Sequence, residues 1–247
     1  MGLVKETLCV ALSDLYYLKR NFFLLLATSM VTPLLYMLAF GYGLGKGVTM
    51  GGVDYIAFMI PGIISLTTLS STFDTVSHKI MIQKRFYESF DEMLLCPISK
   101  SSIIFGRALL GVVKGMMCGV IITVLGLLFS SDLHISVWFF LMMLASCFTF
   151  SLLGVAAGVI VKDLPHMSLF TTFVILPMTF LCGTMFSMDT LPEFIRWFID
   201  MLPLSQTSDC IRALALQWDF PLISFGILVI YAVAFYLLAY FYIDRGH

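Results

Sequence analysis

The sequence predicts an all-α integral membrane protein with six transmembrane helices. An interfacial amphipathic helix at the N-terminus, a charged inner helix and an outer re-entrant helical hairpin complete the expected fold. Three observations predict it. Only 12% of the 247 residues are charged, about half of the roughly 25% that a soluble domain carries. Hydrophobic residues make up 60% and fall in runs close to the about 20 residues needed to cross a hydrocarbon core. The charges that remain gather in the short segments between those runs.

Each element follows in order. Residues 1–20 place Val4, Leu8, Leu12 and Leu15 at helical spacing, with Lys5, Glu6 and Asp14 elsewhere on the wheel and Lys19 and Arg20 at the end. That pattern suits a helix lying in the inner interface. The same charges interrupt any short apolar core, so no cleavable signal is expected. The spans then run over 21–41, 53–73, 109–129, 136–161, 167–186 and 220–242. Pro177 lies inside the fifth, where a missing backbone N–H favours a kink. The whole chain, 1–247, reads as a single transmembrane domain.

Two connections are long. Residues 77–101 form the inner one. Residues 187–219 form the outer one, which is too apolar for a solvated loop, with Leu191, Phe194, Ile195, Phe198, Leu202, Leu204, Ile211 and Leu214 in it. Thr190 with Glu193 is a capping-box pattern and Pro192 suits a first turn, predicting a helix that stops before Pro203. Ser205 is the expected cap of a second helix reaching Gln217. Neither is long enough to span, so a hairpin dipping into the outer leaflet is expected.

Lysine and arginine set the orientation. With the N-terminus inside, Lys5, Lys19, Arg20, Lys79, Lys84, Arg85, Lys100, Arg107, Lys162 and Arg245 are inner, while Lys46, Arg196 and Arg212 are outer. Both termini are therefore expected in the cytoplasm. Trp138, Trp197 and Trp218 all fall on the outer side, as an interfacial belt would place them.

No catalytic constellation is visible. In GYGLGKG (41–47), Gly41 and Gly45 are one residue too close for a phosphate-binding loop, and Lys46 is followed by Gly47 rather than Ser or Thr. Zinc and nucleophile-elbow motifs are missing from the sequence. The six cysteines are scattered without a CxxC pair, so neither disulfide nor metal site is expected. No cofactor and no nucleic-acid partner are expected. Two charges fall at or inside apolar runs: Asp74 ends the second span and Lys114 lies inside the third. Such residues are functional candidates, although snorkelling to the inner surface or a mutual ion pair would also account for them.

The stretch RFYESFDEMLLCPISK (85–100) crowds Arg85, Glu88, Asp91, Glu92 and Lys100 into an otherwise apolar chain. On a helical wheel Phe86, Phe90, Met93, Leu94 and Pro97 share a side, beside an acidic ridge of Glu88 and Glu92. An anchor for the negative inner leaflet would be basic; this helix is acidic at its centre, which suits a protein partner.

Three stretches carry a family resemblance: YIAFMIPGIISL (55–66), RFYESFDEMLLCPISKSSIIFGRALL (85–110) and LPMTFLCGTMFSMDTLPEFIRWFIDMLPLSQTSDCIRAL (176–214). Together they resemble the permease subunit of a type-2 ATP-binding-cassette exporter, nearest the polysaccharide, lipo-oligosaccharide and drug export subgroup. Glu92, Leu94, Leu95 and Pro97 match the family's inner-helix pattern, and Gly183, Phe186, Pro203, Leu204 and Arg212 its outer pattern. The resemblance implies that residues 85–97 form a coupling helix, with Arg85, Phe86, Glu88, Phe90, Asp91, Glu92, Leu94 and Pro97 docking on a separate cytosolic ATPase. It implies that the N-terminal helix (Leu8, Leu12, Leu15, Lys19, Arg20) braces that contact. It further implies that Gly183, Phe186, Pro192, Pro203, Leu204 and Arg212 line or gate the exit. Two permease copies and two ATPases would form the working unit in the inner membrane. The alternative is an ion-gradient-driven secondary transporter without an ATPase. That carrier needs charged groups at mid-bilayer, where these spans are nearly free of acids.

Overall fold

The computed structural model describes residues 3–42, 49–50, 53–87, 89–129, 133–161, 163–181 and 193–245. Helix α1 (Leu3–Arg20) breaks at Asn21, after which α2 (Phe22–Tyr36) runs on through a π-helical turn, Met37–Tyr42. A two-stranded antiparallel hairpin, β1 (Thr49–Met50) with β2 (Val53–Asp54), precedes α3 (Tyr55–Arg85). Then follow α4 (Ser89–Leu95), α5 (Lys100–Phe129) and α6 (Val137–Ile160). The chain continues through α7 (Leu164–Phe170), a π turn (Thr171–Ile175) and α8 (Leu176–Leu181). It closes with α9 (Glu193–Asp200), α10 (Pro203–Leu216) and α11 (Leu222–Arg245).

Five helices among the described residues are long and apolar enough to cross a membrane: α2 with its π turn, α3, α5, α6 and α11. The expected fifth span is built from pieces, α7, the π turn and α8, and its outer end lies outside the described residues. Pro177 has no N–H to give the Phe173 carbonyl, and the turn containing Phe173 has π spacing. The six expected spans thus correspond, among the described residues, to five long helices and one segmented stretch.

Helix α3 is the hub. Its apolar window is 89% buried, against 17% for α2 and 11% for α11, which present their sides outward. Helices pack in lipid without a hydrophobic drive between them, so small residues that admit close approach hold them together. Along α5, a Cβ on Gly115 would collide with Thr72 of α3 and Cys147 of α6. On α6, a Cβ on Gly154 would lie 3.1 Å from the Phe73 carbonyl oxygen. Hydroxyls add cross-links: Ser151 Oγ of α6 donates to the Ala108 carbonyl of α5 at 2.6 Å, and Thr68 and Ser146 meet at 2.9 Å.

The structure corrects two boundaries. Helix α3 does not stop at residue 73 but continues without a break to Arg85, because no proline or glycine interrupts 74–85. At about 1.5 Å per residue its 31 residues extend roughly 46 Å, beyond a hydrocarbon core of about 30 Å. The inner connection is correspondingly shorter than 77–101. In the outer segment, Ser205 does not cap α10: the helix begins at Pro203, whose missing N–H costs nothing at a first turn. Gln217 ends it in the left-handed conformation, φ 57°.

Candidate functional site

Helix α1, the C-terminal ends of α3 and α11 and the N-terminal end of α5 converge around α4, and charges join several of them. Asp14 of α1 is 1% exposed. Its two carboxylate oxygens accept from Arg107 Nη1 of α5 at 2.7 and 2.8 Å, and Oδ1 also accepts from Lys79 Nζ of α3 at 2.7 Å. Lys79 Nζ lies 4.7 Å from the centre of the Tyr17 ring. The fourth helix of the cluster is α4, since Arg107 Nη2 reaches Met93 Sδ at 3.8 Å. One carboxylate therefore ties the N-terminal helix to two spans, and the arginine it orients touches the inner helix.

Glu6 makes a second junction about two turns nearer the N-terminus. Its Oε2 accepts from the Ser99 N–H, the Ser99 hydroxyl and the Ser102 hydroxyl, each at 3.1 Å. It thus serves the orphan donors at the start of α5 from another helix, the role an N-cap side chain normally fills. The Ser99 N–H hydrogen bond, assisted by the serine hydroxyls, holds its carboxyl below the ordinary 4.5. The α1–α5 approach is close because Gly106 carries no side chain: a Cβ there would sit 2.7 Å from Val10 Cβ. Lys100 Nζ meets Asp244 Oδ1 of α11 at 2.5 Å, and Lys84 Nζ donates to the Val159 carbonyl near the end of α6 at 2.9 Å.

Helix α4 is seated by its aromatic residue. Phe90 is 2% exposed among Ile80, Ile103, Ile104, Val155 and Val159, with Met93 packed beside it. Glu92, Leu95, Cys96 and Pro97 are exposed on the other side, and α4 ends before Pro97 as expected. Phe86 departs from the expected wheel. It lies in the break after α3 and is exposed, as is Tyr87, because the helical register restarts at Ser89 rather than running through residue 86. Arg85 reaches Asp163 at 3.6 Å, at the start of α7. Glu88 lies outside the described residues; Asp91 and Leu94 lie in α4.

Helix α1 has two faces. Leu8 and Leu12 point outward as expected, Leu15 is half-buried, and Lys19 and Arg20 are exposed. The opposite face, Val10, Asp14 and Leu18 at four-residue spacing, is buried. Sequence reading missed this face, and with it Asp14, Glu6 and Arg107 as joints. The signal was present in the second periodic row and in an arginine eight residues into α5.

Away from α4, α10 lies alongside the first half of α3. Leu204 at its start packs with Leu66, Leu69 and Phe73 at the middle of α3, while Ile211 and Ala215 pack with Tyr55, Met59 and Ile60 at the N-terminal end. Pro203, Leu204 and Arg212 are all buried. Arg212 stacks its guanidinium 4.0 Å from the Phe58 ring centre, donates from Nε to the Phe58 carbonyl at 3.4 Å, and meets Asp209 at 3.4 Å. Gly183, Phe186 and Pro192 lie outside the described residues.

Asp74 and Lys114 do not form the mutual ion pair considered from sequence: Lys114 Nζ donates instead to Thr75 Oγ1 at 2.8 Å. Both residues line the same cleft between α2, α3, α5 and α8. Among the described residues, no cluster of metal-ligating side chains is present.

The fold is a multi-helix membrane scaffold whose N-terminal helix is pinned beside the short, seated α4. The chain belongs to the ABC-2 type transporter family, whose model matches residues 13–216. It is similar to the inner membrane transport permease YadH of Escherichia coli (strain K12), at 31% identity over 90% of this chain and 88% of that one. It is also similar to nodulation protein J of Rhizobium leguminosarum bv. viciae, at 26% identity over 85% of this chain and 83% of the relative. Nodulation protein J of Bradyrhizobium diazoefficiens is 29% identical over 78% of this chain and 76% of its own length.

Proposed function

We propose that the chain is the membrane-spanning subunit of an ATP-driven exporter of the inner membrane. Two copies form the translocation path, both termini face the cytoplasm, and a separate cytosolic ATP-binding-cassette ATPase drives it. Membership of the ABC-2 type family supports the general reading.

One observation carries the coupling assignment. Helix α4 is anchored by a buried Phe90 yet leaves Phe86, Tyr87, Glu92 and Leu95 exposed around it. Large exposed apolar residues beside an acid, on a helix that is itself firmly packed, suit a protein partner. A push on α4 passes through Met93 and Arg107 to α5, and through Asp14 to α1. The helix therefore acts as a handle on the spans, while the permease itself catalyses nothing. In this reading Arg85, Glu88, Asp91, Leu94 and Pro97 border the docking face, and the residues around Gly183, Phe186, Pro192, Pro203, Leu204 and Arg212 border the exit.

The test is co-purification from the native membrane in mild detergent. A P-loop ATPase is expected in stoichiometric amount, and Glu92→Arg is expected to release it while the permease still inserts. Retention of the ATPase and full transport by that variant would remove α4 from the coupling role. Transport that survives ATP depletion but collapses with the proton gradient would replace the whole reading with a gradient-driven carrier.

A further inference from the structure

Two adjoining cavities open beside α3, and both are lined by Asp74 and Lys114. The first, about 430 Å³, lies between α2, α3, α5 and α8 and carries a row of hydroxyls: Thr28, Ser29, Thr67, Ser70 and Ser71. The second, about 790 Å³, continues toward the inner end past His78 and Lys79 to Tyr17 of α1. Together they have the size of a small-molecule site.

The donors and acceptors in the first cavity are unevenly committed. Thr28, Ser29, Thr67, Ser70 and Ser71 each donate their hydroxyl proton to a carbonyl of their own helix. What those five oxygens still offer is lone pairs, so the wall accepts hydrogen bonds. The Asp74 side chain adds an acceptor that carries charge, and among the described residues no hydrogen bond or salt bridge occupies it. Lys114 spends one of its three donors on Thr75 and keeps two. The cleft thus presents an anion and a cation that lie near each other without direct contact, with His78 one turn from the anion.

Desolvating either charge without a partner is costly, which discriminates among occupants. A neutral polyhydroxyl ligand would leave both charges uncompensated. A purely acidic head group would satisfy Lys114 and be repelled by Asp74; a purely cationic one would do the reverse. We propose that the cleft holds the head group of an inner-leaflet amphiphile bearing both charges, a phosphodiester on Lys114 and an ammonium on Asp74 among the hydroxyl acceptors. Asp74 lies eleven residues before Arg85, the last residue of α3, roughly 16 Å from that helix end at about 1.5 Å per residue. With α3 centred across a hydrocarbon core of about 30 Å, that puts Asp74 about 8 Å inside the core boundary, where an acyl chain can follow the exposed side of α2 while the head group sits in the cleft. The leaflet rests on the orientation proposed above; the site does not.

Native mass spectrometry of the detergent-purified full chain tests this without the ATPase, so its outcome is separate from that of the export reading. Phosphatidylethanolamine, phosphatidylglycerol and a neutral glucosyl-diacylglycerol are added in equal amounts. The wild type is expected to retain phosphatidylethanolamine about tenfold over each competitor. Asp74→Asn should erase the preference over phosphatidylglycerol, and Lys114→Met should lower retention of both phospholipids about tenfold. Equal retention of all three lipids by the wild type overturns the proposal whatever the variants do. So does a wild-type preference that both substitutions leave unchanged.

Discussion

The end of the bundle that carries α4 and the apolar core of the bundle are held by different physics. At the α4 end, α1, α3 and α5 meet through Asp14, Lys79 and Arg107, with ion-pair distances of 2.7 Å. In the core, the same α3 and α5 meet α6 through Gly115, Thr72, Cys147 and Gly154, where close approach leaves no room for a side chain on the glycines. The charges at that end satisfy one another rather than water, Asp14 and Arg107 being 1% and 5% exposed. Deeper, lipid competes on equal terms for apolar surface, and close approach is what distinguishes a helix neighbour from an acyl chain. The α4 end is consequently a jointed structure with a few strong bonds, and the core is a continuous fit. A transporter needs both: joints to receive a push, and a stiff bundle to pass it on.

Four measurements break or sharpen that contrast, in order of expected effect. The largest is Asp14→Ala, which strands Arg107, 5% exposed, and Lys79. Removing one partner of a buried ionic cluster costs about 3–5 kcal/mol. A thermal scan of the detergent-solubilised protein should show a large fall; a loss under about 1 kcal/mol would mean the joint is dispensable. Gly115→Leu comes next, forcing a side chain against Thr72 and Cys147, with an expected cost of about 1–3 kcal/mol from overpacking. If this variant proved the more damaging of the two, the core would be the critical joint.

The third measurement is a pH dependence. Glu6 has its carboxyl held below the ordinary 4.5 by hydrogen bonds from Ser99 and Ser102. A depressed folded-state value means the contribution is present above about pH 4.5 and is lost as pH falls through the lower, folded value. Hydrogen exchange in α1 should accelerate over that acid range in the wild type. Glu6→Gln should flatten the response, and an unchanged response would assign it to another group. The smallest stability effect belongs to Glu92→Ala, because an exposed side chain away from packing typically shifts stability by less than about 0.5 kcal/mol. Its expected phenotype is lost coupling at unchanged melting temperature.

Much of this architecture was legible in one dimension. Hydropathy marked all the long apolar helices, since each must satisfy its backbone internally and coat itself with apolar side chains whatever its neighbours. The amphipathic α1 and the short α4 ending before Pro97 were likewise visible from periodicity and a breaker residue. The errors came where a helix outran its apolar stretch, as α3 does through Lys79 and Lys84 to Arg85, or where a wheel was drawn across a break, as at Phe86. Lys114 was legible as a special residue, but its partner, Thr75, was not.

By itself the sequence determined that this chain is a multi-helix membrane permease with one segment, 85–100, crowded with charge. Hydrophobic length and charge placement are properties of each segment alone. Only the tertiary structure decided which charges meet. Asp14 and Arg107 are 93 residues apart in the chain, and no local pattern records a bond between them. That bond exists because Gly106 lets α1 approach α5 closely enough for one carboxylate to reach two cations.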